Sequence, residues 1–116
     1  ILVYNDTDVM EVTNLLKKYG ITEFQTHYRT GKIPPYHTIN TLDFSNNDLP
    51  CILDYYAAKG SEFDNVFFLF ANDKNVGSCN DFFVACTRAS HSLYISYSGI
   101  KTSYLNNVNK QDIVEL

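Results

Sequence analysis

Apolar and polar positions along the chain alternate between a strand-like and a helix-like period. Ile1-Leu2-Val3-Tyr4 is an apolar, β-branched run, and Asn5-Asp6-Thr7-Asp8 behind it offers turn and helix-capping side chains. That order predicts a strand entering a helix. Val9, Val12, Leu15, Leu16 and Tyr19 then recur at helical spacing, Lys17 and Lys18 fall in the last turn, and Gly20 stops the helix. Residues 21–28 read as extended, which completes a β-α-β opening and favours a parallel sheet. Between Arg29 and Pro50 the pattern loosens around Gly31, Pro34-Pro35 and Asn46-Asn47-Asp48, giving an elaborated loop in which residues 41–44 read as a short strand. Cys51-Ile52-Leu53 leads a central strand towards Tyr55 and Tyr56, and residues 65–70 form a nearly continuous apolar run, as in parallel strands covered on both faces. A polar loop precedes a helix over residues 80–89, residues 92–97 return as a last strand, and residues 111–116 read as a short closing element. The sum is a single α/β domain over residues 1–116, in three layers with a mainly parallel sheet.

Composition narrows the classes. Nine Tyr, eight Phe and an apolar share of 45% describe a packed globule rather than a disordered tail. A net charge of −4, with Arg29 and Arg88 the only arginines, has the wrong sign for a free-standing nucleic-acid binder, so any such contact is local and shared with another domain. Cys51, Cys79 and Cys86 form no C-x-x-C pair and are odd in number, which fits reduced thiols and a cytoplasmic setting. His27, His37 and His91 lie far apart, with no partner at metal-ligand spacing. No apolar run reaches the ~18–20 residues of a membrane span, so no membrane partner is expected. The chain opens on Ile1 within strand-like sequence, which reads as a domain from a larger enzyme.

Two segments carry the chemistry. Lys59-Gly60-Ser61-Glu62 forms a turn between two apolar strands, and Arg88 stands near the end of the second helix, off the apolar stripe of Phe82, Ala85, Cys86 and Ala89. One reading of Arg88 is a cation compensating the negative end of the helix, worth about 0.3–1 kcal/mol. The other is an arginine presented to a phosphoryl group in transit, worth on the order of 10³–10⁵ in rate. The chain has no Gly-x-x-x-x-Gly-Lys-Ser/Thr loop, so it holds at most half of a phosphate-handling site. Glu62 and Asp64 either solvate a turn or accept hydrogen bonds from a ligand. Asp73 sits in a polar loop without a following acid, and no catalytic role is assigned to it.

Residues 56–67, Tyr-Ala-Ala-Lys-Gly-Ser-Glu-Phe-Asp-Asn-Val-Phe, resemble motif V of the UvrD/Rep-type superfamily 1 helicases, a His-x-x-Lys-Gly-Leu-Glu-Phe-x-x-Val-Phe pattern. Residues 82–89, Phe-Phe-Val-Ala-Cys-Thr-Arg-Ala, resemble their motif VI, and the strand, helix and Gly20-Ile21 at the start match what precedes motif V. The resemblance covers residues 1–28 and 50–97 in the right order. It implies the second RecA-like domain of an ATP-dependent DNA helicase, lacking its own Walker A loop. It further implies that Arg88 reaches across an interdomain cleft to the γ-phosphate as an arginine finger and that Glu62 meets the ribose hydroxyl. Gly60 would let backbone approach the nucleotide, and Tyr56 and Lys59 would face single-stranded DNA. ATP and Mg²⁺ would be held mainly by the first RecA-like domain of the same parent chain, and the domain alone would be inactive.

Three positions depart from the family, two of them at contacts to the DNA strand. Its motif V threonine and histidine fall on Asp54 and Tyr56, so Asp54 is expected to repel phosphate and Tyr56 to stack on a base instead. Ser61 replaces a leucine, a packing change. His27-Tyr28-Arg29-Thr30 mimics motif IV but lies after the first β-α-β unit, where motif IV does not belong, and Arg29 is given no role. The stretch before motif V is short where relatives insert a large helical subdomain. The alternative is a regulatory or partner-binding module that retains the helicase fold without catalysis.

Overall fold

The computed structural model describes residues 1–29, 41–46 and 48–116. Strand β1 (Leu2–Val3) leads into helix α1 (Asp6–Lys18), followed by β2 (Gln25–Thr26), β3 (Cys51–Asp54), β4 (Phe63–Phe68), helix α2 (Cys79–Cys86) and β5 (Ala89–Ile95). The five strands form one sheet in the order β2-β3-β1-β4-β5, every pairing parallel. Because all strands run the same way, the residues that follow them gather at one sheet edge and those that precede them at the other. This is the α/β architecture expected from the alternation of elements, and it is consistent with the RecA-like domain that the resemblance implies.

Local chemistry explains both helices. Asn5 caps α1 by accepting the Asp8 N–H at 3.0 Å. Asp6 and Asp8 sit in the positive first turn and Lys17 and Lys18 in the negative last turn. Gly20 ends the helix at φ +81°, while the Ile21 N–H returns to the Leu16 carbonyl at 2.9 Å. Helix α2 opens on a reciprocal capping box between Ser78 and Asp81.

The helices cover opposite faces. Val9 and Val12 of α1 pack with Val3 and Ile52, whereas Phe82 and Ala85 of α2 pack with Leu2, Leu53, Val66, Phe68 and Ala58. Strand partners share a face, as with Leu2 opposite both Leu53 and Phe68.

Several expectations are corrected. Strand β2 is two residues rather than the whole of 21–28. Thr41 to Phe44 form no strand; Thr41 instead donates its N–H to the Thr26 carbonyl and accepts the Thr26 N–H on its hydroxyl, and Asp43 donates to the Gln25 side chain. One backbone and one side-chain group of Thr41 thus satisfy Thr26 at the β2 edge without a ladder. Strand β4 is not covered on both faces: helix α1 lies over β1 and β3, leaving Phe67 45% and Tyr94 50% exposed and stacked at 4.6 Å. Residues 111–116 are exposed, and the closing element lies earlier, a 3₁₀ helix at Ser103–Asn107. Asp73 anchors that helix, accepting bonds from the Thr102 hydroxyl at 2.8 Å and the Ser103 N–H at 2.7 Å, and these donors hold its carboxyl below the usual range. The residues around Pro34-Pro35, with Tyr36 and His37, lie outside the described residues.

Candidate functional site

The segment from Tyr55 to Glu62 crosses the sheet from one edge to the other. It leaves the C-terminal end of β3, buries Ala58 against α2, turns at Gly60, and enters β4 at Phe63. Gly60 has φ +87°, a left-handed conformation that a side-chain-bearing residue adopts at a cost, while an added Cβ would meet nothing within 4 Å. Glycine is therefore required here by the backbone turn, and the turn stands open to solvent.

At the N-terminal edge Arg88 is fastened to this segment. Its Nη1 donates to the Ser61 carbonyl at 3.0 Å, its Nε to the Val84 carbonyl at 3.0 Å, and its Nη2 to the Thr87 hydroxyl at 3.2 Å. Its own carbonyl accepts the Phe63 N–H at 2.9 Å. Arg88 thus grips the residues on either side of Glu62, which holds Glu62 beside it. The bond to Val84 is the helix-end contact that spacing alone anticipated, although α2 ends at Cys86, two residues before the arginine. Among the described residues no carboxylate pairs with Arg88. Among the described residues two of its five donors take no acceptor, one on each Nη of a planar guanidinium suited to a phosphoryl oxygen. A register shift between Phe63 and Asn65 bends β4 directly after Glu62.

A cleft of about 860 Å³ opens along the same edge, lined in part by Ser61, Glu62, Phe63, Asp64, Asp48 and Phe44. That volume lies within the usual range for small-molecule sites. Its charged lining is acidic, so the cleft suits sugar hydroxyls and base amines, which donate, and phosphates belong with Arg88. The chain's residues therefore fit the sugar end and one phosphate of a nucleotide. Among the described residues no group of three His, Cys, Asp or Glu is placed to hold a metal ion. Asp64 pairs instead with His91, at 3.3 Å. Burial pushes the Cys86 thiol up to about 12, so it stays protonated and inert.

The C-terminal edge holds a second cluster that the sequence did not disclose. Asp54 is wholly buried, with Oδ1 accepting the Ala57 N–H at 2.9 Å and Oδ2 lying 3.4 Å from Arg29 Nε. The expected repulsion of phosphate by Asp54 is thus answered by a cation pressed against it. The Arg29 guanidinium carbon lies 4.5 Å from the centre of the Tyr56 ring, which also stacks on Tyr55 at 4.4 Å. Tyr56 is thus engaged by protein on its π-system while the side chain stays 41% exposed. Lys59 is exposed and near enough to Asp81 to help hold that carboxyl low, after the two bonds from Ser78. Tyr55 and Tyr28 are core residues, and burial raises the Tyr55 phenol above its ordinary value.

No described helix is long and apolar enough to cross a membrane. No curated protein matches the chain. Residues 50–96, which run from the start of β3 to the end of β5 and include both Arg88 and the Ser61 to Phe63 segment that it grips, match the family of the UvrD-like helicase C-terminal domain.

Proposed function

We propose that this domain supplies the second wall of an interdomain ATP site in a DNA helicase, with Arg88 as arginine finger and Glu62 as ribose contact. The observation that carries the reading is the grip of Arg88 on Ser61 and Phe63, which holds a guanidinium with two free donors next to an exposed carboxylate within the matched segment. When bound, ATP brings the phosphoryl group to be transferred, and Mg²⁺ would be held mainly by the first RecA-like domain of the parent chain. The residues here bind and orient: Glu62 accepts from a ribose hydroxyl, and the cleft takes the sugar end. Arg88 offers its free donors to the γ-phosphoryl oxygens as negative charge redistributes over them. Gly60 carries the chain between the two sheet edges, and Lys59 at the far end follows the phosphates of a single DNA strand.

Arg88→Ala in the complete helicase tests the reading. Strand-stimulated ATPase should fall by on the order of 10³-fold or more, with fold and ATP binding kept. A loss below about tenfold, roughly 1.4 kcal/mol, reduces Arg88 to a helix-end cation. An inactive natural helicase would favour the non-catalytic module.

A further inference from the structure

Asp54 and Tyr56, the positions where the motif V resemblance loses its polar contacts to the strand, are the two that hold the Arg29 guanidinium. Its Nε faces buried Asp54 Oδ2 at 3.4 Å, its carbon ζ lies 4.5 Å from the Tyr56 ring centre, and its N–H donates to Asp6 Oδ1 at 2.8 Å. Among the described residues Asp54 Oδ2 takes no hydrogen bond, and Arg29 is the cation that faces it. Such an arrangement fixes a guanidinium from behind and beneath while 46% of the side chain remains exposed. Its Nη groups take no acceptor among the described residues and present the edge of the fork that binds phosphate. Arg29 follows β2, and Asp54 and Tyr56 close and follow β3, so all three stand at the sheet edge opposite Arg88.

We propose that Arg29 binds a backbone phosphate of the single strand, with Asp54 and Tyr56 as the residues that position it. This rests on the strand-binding reading given above. The lost threonine and histidine are then replaced by one arginine reached from a different strand. Asp54 neutralises part of the Arg29 charge, so the pair trades affinity for a fixed direction of the fork.

The test measures binding of a labelled oligothymidylate to the complete parent protein against salt concentration. Asp54→Asn keeps the acceptor for Ala57 and frees the arginine's charge, so it should bind the strand more tightly than the natural chain. Adding Arg29→Gln to Asp54→Asn should reverse that gain and flatten the slope of log affinity against log salt by about 0.7, the loss of one single-strand phosphate contact. Arg29→Lys, which leaves the buried carboxylate paired, should keep the slope and lower the affinity. Equal slopes in the Asp54→Asn and double variants, or a slope lost in Arg29→Lys, overturn the assignment of Arg29 while leaving the strand track intact. Absence of any strand binding by the complete natural protein overturns the strand track and this proposal together.

Discussion

The chain's two arginines stand at opposite edges of one parallel sheet and differ in what surrounds their charge. Arg88 is held by two carbonyls and a hydroxyl, neutral acceptors that orient it without cancelling it. Arg29 is held by a buried carboxylate and an aromatic ring, which orient it and partly neutralise it. A cation tethered by dipoles keeps nearly its full field for a ligand, which suits stabilising charge that develops on a phosphoryl group. A cation tethered by a carboxylate keeps its geometry and less of its field, which suits a contact that must form and release as a strand moves. On the proposed reading, one residue type thus serves two tasks through its immediate neighbours.

The contrast is broken most strongly by removing each arginine and measuring stability. Arg29→Ala strands the buried Asp54 charge and should cost about 2–3 kcal/mol, below the ~3–5 of a fully buried pair because Arg29 is half in solvent. Arg88→Ala leaves only neutral acceptors and should cost about 1 kcal/mol in the same urea titration. Equal costs would mean that Asp54 does not depend on Arg29. Gly60→Ala should cost about 1–2 kcal/mol, all of it from forcing a side-chain-bearing residue to φ +87°, since nothing crowds an added Cβ. A neutral result there would show that the turn linking the edges can relax.

The smallest effect concerns helix α2, the strut whose N-terminus stands near Lys59 and whose last turn holds Arg88. Ser78 donates its hydroxyl and N–H to Asp81, and with Lys59 they hold the carboxyl below its usual range. The contribution is therefore present in full above the ordinary Asp pKa of about 3.9 and lost as pH falls through the lower folded value. As pH falls below about 4, stability should fall more steeply in the natural chain than in Asp81→Asn, and parallel curves would dismiss the cap as a pH-sensitive element.

How far the sequence could be read depended on how local the physics was. Both helices were legible because caps and periodicity lie within a few residues, as with Asn5 over α1 and Gly20 behind it. Glu62 and Arg88 were legible as candidates because each lies in a short motif, and their proximity followed from the order of the strands. Arg29 was not legible. Its partners Asp54 and Tyr56 lie on the neighbouring strand's end, across a loop with no periodic pattern, and no spacing rule joins them. Phe67 misled for a related reason: an apolar run announces burial, but whether a helix covers it depends on where α1 lies, and α1 lies over β1 and β3.

The central claim is that the two edges serve two ligands, and Arg88→Ala measured for both in the complete helicase tests it most directly. The account predicts strand-stimulated hydrolysis reduced by on the order of 10³-fold while strand affinity stays within about twofold of the natural protein. A loss of hydrolysis below about tenfold, or a parallel loss of strand affinity, would contradict it.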